Sequence, residues 1–290
     1  MQIMSLMTAL PGAAAQGLIW GIMAIGVYIT FRILDIADLT VDGTLCTGGA
    51  VCIMMMLSGH NVWVSMLAAT GAGLLAGLAT GIFHTFMGIP AILAGILTQL
   101  SLYSVNLKIM GKANQAINVD KFNLLVSLRR VKGVVLTQNT LFIVAIMIVI
   151  LIAVLYWFFG TELGCSLRAT GCNPSMSRAQ GINTDRNKVL GLMLSNGLVA
   201  LSGALLTQYQ GFADINMGRG SIVIGLAAVI IGEAIFSRIF RNFALKLLSV
   251  VFGSILYYLV LQIVIWMGID TDLLKMLSAL VVALFLAFPY

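Results

Sequence analysis

Nine apolar stretches, separated by polar connections, run along the chain at about 11–31, 39–57, 61–86, 89–110, 139–160, 188–208, 219–236, 243–267 and 272–289. Runs near 20 residues are long enough for a helix to cross a bilayer. The pattern predicts an all-α integral membrane protein of about nine transmembrane helices, forming one transmembrane domain over residues 1–290. Two spans, 39–57 and 219–236, look short or interrupted. Each opens on a polar, glycine-containing turn, Asp42-Gly43-Thr44 in the first and Arg219-Gly220-Ser221 in the second. Helices broken at membrane depth are tolerated where they are buried in protein or line a water-filled cavity.

Composition agrees with the pattern and removes other classes. Hydrophobic residues make up 60% of the chain and charged residues 9%, against about 25% charged in a soluble domain. The mean hydropathy is +1.06. The net charge of +6 is spread over loops, with no basic cluster interleaved with aromatics, so nucleic acid is not an expected partner. Met1–Leu10 lacks a basic segment and its apolar run continues into a full span, so no cleavable leader is expected. Cys46, Cys52, Cys165 and Cys172 form no CxxC and join no histidine cluster; no metal is expected and the thiols read as reduced. His60 and His84 are isolated and read as interfacial.

The connections differ in character. Residues 111–138, an external loop, contain LLVSL and VVLT around RRVKG, which predicts a β-hairpin turning near Gly133, either a lid or docking surface for a ligand-delivery protein or a plain external loop. Residues 161–187 form a basic insert with Arg168, Arg178 and Arg186. Within it Pro174 opens a short helical run and Gly181 ends it, as expected of helix punctuation. Such a helix suits a partner at the membrane surface, or is a solvated loop. Lys and Arg divide eight and eight between the two sides, so the positive-inside rule gives no orientation. With the insert placed in the cytoplasm, the N-terminus lies outside and the C-terminus inside.

DGTLCTGGA (42–50) and RGSIVIGLA (219–227) share small residues at matching positions, offset by 177 residues. The same offset carries the first four spans (11–110) onto the last four (188–289), leaving 139–160 between them. Each span and its mate are five crossings apart, so the two repeats are predicted to be inverted, a common transporter plan with the ligand path at interrupted helices.

Several polar residues interrupt apolar runs, where they normally face protein or water. They are Asp42, Asn196 and Glu233, with Glu233 read as interfacial beside Arg238. The span from Pro90 adds Thr98, Gln99, Ser101, Tyr103 and Asn106, suggesting an aqueous path or interhelical contacts. Gly73, Gly77 and Gly81 form a smooth stripe, either a gating seam or plain helix packing. There is no GxxxxGK[ST], HExxH or GxSxG, and no carboxylate pair set for acid–base work, so catalysis is not expected.

LRATGCNPSMSRAQGI (167–182), the stretch LGLMLSNGLVALSGALLTQYQGFADINMGRGSIVIGLAAVIIGE (190–233) and DLTVDGTLCTGGA (38–50) resemble the permease subunits of ABC importers of the branched-chain amino acid/ribose group. The nearest likeness is to a branch associated with import of tryptophan or similar solutes. The resemblance implies two permease subunits, as a homodimer, in a bacterial inner membrane, with a separate ATPase that holds ATP and Mg²⁺ and an external solute-binding protein. This chain itself is expected to bind no cofactor. The resemblance makes the insert a coupling helix on the ATPase, with Arg168, Ala169, Gly171, Asn173, Pro174, Arg178 and Gly181 as contact candidates. The translocation path is expected near Asp42, Thr44, Gln99 and Asn196. A stand-alone secondary transporter with inverted repeats is the rival reading.

Overall fold

Eight of the nine apolar runs are helices. In the computed structural model, which describes residues 2–117, 122, 124–131, 139–236, 240–267 and a few between 273 and 287, they are α1 (Gln2–Tyr28), α2 (Thr40–Leu57), α3 (Val62–Thr85), α4 (Ala91–Met110), α5 (Thr140–Gly160), α8 (Thr184–Gln210), α9 (Ser221–Phe236) and α10 (Phe243–Trp266). Two short helices, α6 (Glu162–Cys172) and α7 (Pro174–Ala179), lie between α5 and α8. Among the described residues seven helices are long and apolar enough to cross a membrane, and α9 is a shorter apolar helix. The ninth predicted span, 272–289, lies for the most part outside the described residues.

Side-chain size sorts the helices into an inner and an outer set. The most apolar windows of α1, α2 and α8 are 78%, 72% and 67% buried, whereas those of α4 and α5 are 22% buried. The inner helices are rich in Gly, Ala, Ser and Thr, which let backbones approach without a hydrophobic driving force between helices. A Cβ on Gly48 would collide with the Ala200 carbonyl, and one on Gly203 with the Leu45 carbonyl, so α2 and α8 touch backbone to backbone. By contrast α5 carries large apolar side chains all round and exposes Val149, Ile150, Val154 and Trp157, a surface suited to lipid.

The glycine stripe of α3 is a packing seam. Added methyl groups on Gly73 and Gly77 would strike the carbonyls of Asn196 and Leu192, and one on Gly81 would lie 3.0 Å from the Val189 Cα. Buried hydroxyls fasten α1 to its neighbours: Ser195 Oγ donates to the Gly26 carbonyl, Ser202 Oγ to Ile19 and Ser254 Oγ to Gly17, each at 2.8 Å. Thr40, Thr80 and Thr98 form a hydroxyl chain of 2.7 and 2.9 Å joining α2, α3 and α4.

The predicted hairpin in 111–138 is replaced by a different pairing. Asn114–Ala116 (β1) pairs antiparallel with Phe212–Asp214 (β2), just past the end of α8. Leu124–Leu128 forms no strand; Leu128–Val131 is a 3₁₀ turn, while Gly133 and residues 134–137 lie outside the described residues. The apolar positions that suggested a strand serve packing instead. Leu124 and Val126 are buried, and Ser127 is clasped by Thr140, whose Oγ1 donates to its carbonyl at 2.8 Å and accepts from its N–H at 3.2 Å.

Candidate functional site: the insert, a buried clasp and a cavity

The insert is two helices rather than one. Thr161 Oγ1 accepts from the Gly164 N–H to start α6. Asn173 ends α6 and caps α7, its Oδ1 accepting from Met176 N at 3.0 Å, with Pro174 at the first helical position. Gly181 closes α7 with φ +80°, a left-handed conformation that costs glycine nothing. α6 hides in the sequence because Gly164, Ser166, Thr170 and Gly171 read as loop residues.

Arg168 and Arg178 are engaged within the chain. The Arg168 guanidinium sits 5.4 Å from the centre of the Phe243 ring. Arg178 Nε donates to Thr184 Oγ1 at 2.7 Å, and its NH2 group pairs with Asp185 at 3.3 Å. Ala169 is half-buried, and Asn173, Pro174 and Met176 are exposed. Met176, 53% exposed on an otherwise polar helix, went unnoticed in the sequence; the signal was a single large apolar residue within PSMSR.

Gly171 seats the insert. A Cβ there would overlap the Ile33 carbonyl oxygen, so no side chain fits between α6 and the end of the first span. There α1 continues into a π-helical turn, Ile29–Ile33, and then into a connector, residues 34–39. Beside this contact lies a groove of about 550 Å³ lined by Asp35, His84, Gly171, Pro174 and Lys188, among others.

The connector carries Asp38, a residue left unassigned within DLTVDG. It is 2% exposed. Its Oδ1 accepts from Thr40 N at 2.9 Å and starts α2; its Oδ2 accepts from Asn196 Nδ2 at 2.7 Å. Asn196 Oδ1 in turn accepts from Thr44 Oγ1 at 2.7 Å. Asn196 stands twelve residues into α8, about 18 Å along the helix, so the clasp lies at membrane depth. An unpaired buried carboxylate is strongly unfavourable. The amide of Asn196 suits the position because it offers a donor to Asp38 and an acceptor to Thr44.

Of the four predicted pathway residues, Asp42 and Gln99 line a cavity of about 370 Å³ with Gly43, Tyr103, Asn106 and Arg219. Thr44 and Asn196 do not; both are fully buried in the contact of α2 with α8. Asp42 accepts from Ser221 Oγ (2.8 Å), Ile222 N (3.0 Å) and Gly220 N (2.9 Å), satisfying N–H groups that the first turn of α9 cannot bond internally. The two interrupted turns read from the sequence therefore touch. Glu233 pairs with Arg32 at 3.0 Å; the Arg238 expected beside it lies outside the described residues.

The chain matches the family described as branched-chain amino acid transport system / permease component over residues 10–287. It is 38% identical over 281 residues to a tyrosine transport system permease protein of Clostridioides difficile (strain R20291), covering 97% of this chain and 91% of that one. It is 25% identical over 246 residues to the fructose import permease protein FruF of Bifidobacterium longum (strain NCC 2705), covering 84% of this chain and 67% of that one. In fold it is similar to a chain of PsaBC from Streptococcus pneumoniae in complex with Fab, with a TM-score of 0.56 at 17% identity, covering 99% of this chain and 94% of that chain. With its membrane-length helices and a family match over nearly its whole length, the chain belongs to the branched-chain amino acid transport permease family.

Proposed function

We propose that this permease is the membrane-spanning part of an ATP-driven importer for a small, amino-acid-like solute. It works as a pair of identical copies, with an ATPase docked on α6–α7 in the cytoplasm and a solute-binding protein delivering from outside. ATP and Mg²⁺ act on the ATPase. The tyrosine transport relative supports the solute class.

The observation that carries this reading is a continuous packed route from the exposed insert to membrane depth. Met176 and its neighbours present the outer surface of α7. Gly171 fits against Ile33 with no space to spare, and five residues on Asp38 holds Asn196. When the ATPase pair closes, the insert moves, and the tight Gly171 contact passes that motion to the connector. Asp38 then carries it to α8 and to the start of α2. Interiors this close-packed transmit displacement rather than absorb it.

The inverted-repeat plan is supported by contacts that exchange under the 177-residue offset. Gly48 packs on Ala200; their counterparts, Gly225 and Met23, pack on each other. Likewise the seam of α3 with α8 has its counterpart in that of α10 with α1, where Gly17 meets Ile255. Alternating access by rocking of such halves needs a path between them, and the Asp42 cavity opens where the two repeats' interrupted turns meet.

The test is the energy source. Uptake of radiolabelled L-tyrosine and L-tryptophan into cells expressing the permease with its partners is expected to persist with a protonophore while ATP is maintained. It should stop when the phosphate-loop lysine of the ATPase is changed. Uptake abolished by the protonophore and indifferent to the ATPase change would establish a secondary transporter instead.

A further inference from the structure

The Asp42 cavity holds a combination of groups that packing alone does not require. Asn106 is 1% exposed. Its Nδ2 donates to the Gly43 carbonyl at 3.4 Å, while its Oδ1 is buried with no hydrogen-bond partner. A buried acceptor left unpaired is costly, and native structures contain few of them. Both atoms belong to a residue lining the cavity, so a donor arriving there would complete the set.

Charge points to the kind of donor. The Asp42 carboxylate accepts three hydrogen bonds from α9 and Ser221, out of about four acceptor sites. Arg219 also lines the cavity, and its guanidinium makes no hydrogen bond or ion pair among the described residues. The Asp42 bond to Gly220 N, the next residue along, keeps the two charges at one site. Tyr103 and Leu100 supply an apolar wall. The volume, about 370 Å³, is that of a small-ligand pocket.

We propose that this cavity is a zwitterion site that reads both ends of an α-amino acid. Asp42 and the free Oδ1 of Asn106 take the ammonium, Arg219 takes the carboxylate, and the side chain lies against Tyr103. A simple anion meets Asp42, a simple cation meets Arg219, and a neutral sugar matches neither. The site rests on the importer reading for its role but not for its chemistry.

The whole chain in lipid nanodiscs, probed by saturation-transfer NMR, tests it with L-tyrosine, tyramine (no carboxylate) and 3-(4-hydroxyphenyl)propionate (no ammonium). L-Tyrosine is expected to bind about tenfold more tightly than either analogue. Arg219→Gln, at an exposed position, should erase the preference over tyramine by weakening L-tyrosine and strengthening tyramine, from which a like charge has been removed, and Arg219→Lys should restore part of it. Equal binding of the three probes, no saturable binding, or a preference that survives Arg219→Gln would overturn the site. Capture of an ATPase by the same preparation separates the two ideas. An ATPase captured without zwitterion preference removes only the site; preference without an ATPase removes the importer reading and leaves the site standing.

Discussion

Asn196 Nδ2 donates to Asp38 Oδ2 at 2.7 Å, joining the centre of α8 to the connector that precedes α2. The bond links residues 158 positions apart and gives a buried carboxylate its partner from another helix. Breaking it from the Asn196 side leaves an Asp38 oxygen buried without its donor, a loss of about 1–3 kcal/mol. Asn196→Leu should therefore sharply lower the thermal unfolding temperature in detergent. Thr44→Val removes one neutral bond, about 0.6 kcal/mol between membrane helices, and should shift it far less. Equal shifts would show that Asp38 carries no buried charge in need of Asn196.

Gly171→Ala forces a methyl group into the Ile33 carbonyl. The expected result is a folded protein whose insert is unseated, with solute uptake reduced about tenfold or more. Gly160→Ala, where nothing lies within 4 Å of the added carbon, should transport normally. Uptake and expression measured side by side distinguish lost coupling from lost protein.

The α3 seam gives a similar contrast in stability. Gly77→Ala must push α3 off the Leu192 carbonyl of α8, whereas Gly71→Ala meets open space. Relief of glycine's backbone entropy, about 0.5–1 kcal/mol in a helix, should make the second variant neutral or slightly stabilised, and the first clearly destabilised. Thermal unfolding of the purified variants reads the difference.

Asp42 bonds three groups at the start of α9. Asp42→Ala should cost about 1–2 kcal/mol, as lost helix caps do, while Asp42→Asn keeps an acceptor oxygen and should cost less. A loss in the Asn variant equal to that in the Ala variant would mean that charge rather than capping holds this junction.

The spans were legible because each is a long apolar run, and α7 because Pro174 and Gly181 bracket it. What escaped depends on partners distant in sequence. β1 pairs with a strand about 100 residues away, so the local apolar pattern of LLVSL pointed to the wrong pairing. Asp38 lies just outside an apolar run, and nothing local shows that the connector is drawn into the interior toward Asn196. The pathway candidates divided for the same reason. Asp42 and Gln99 face a cavity, while Thr44 and Asn196 spend their polar groups on each other. Arg178 is bound to Thr184 and Asp185, so reversing its charge would disturb the insert itself; Met176 is the cleaner probe of docking.

The most direct measurement places a photo-crosslinking amino acid at Met176 in the full chain, expressed in a bacterial membrane with its natural partners, and identifies the adducts. The same label at Leu100, an exposed residue of α4, serves as the control. The expected result is an adduct with an ATP-binding subunit from position 176 and none from position 100. No ATPase adduct at 176, or equal adducts at both positions, would contradict the assignment of α6–α7 as the surface through which ATP hydrolysis drives this permease.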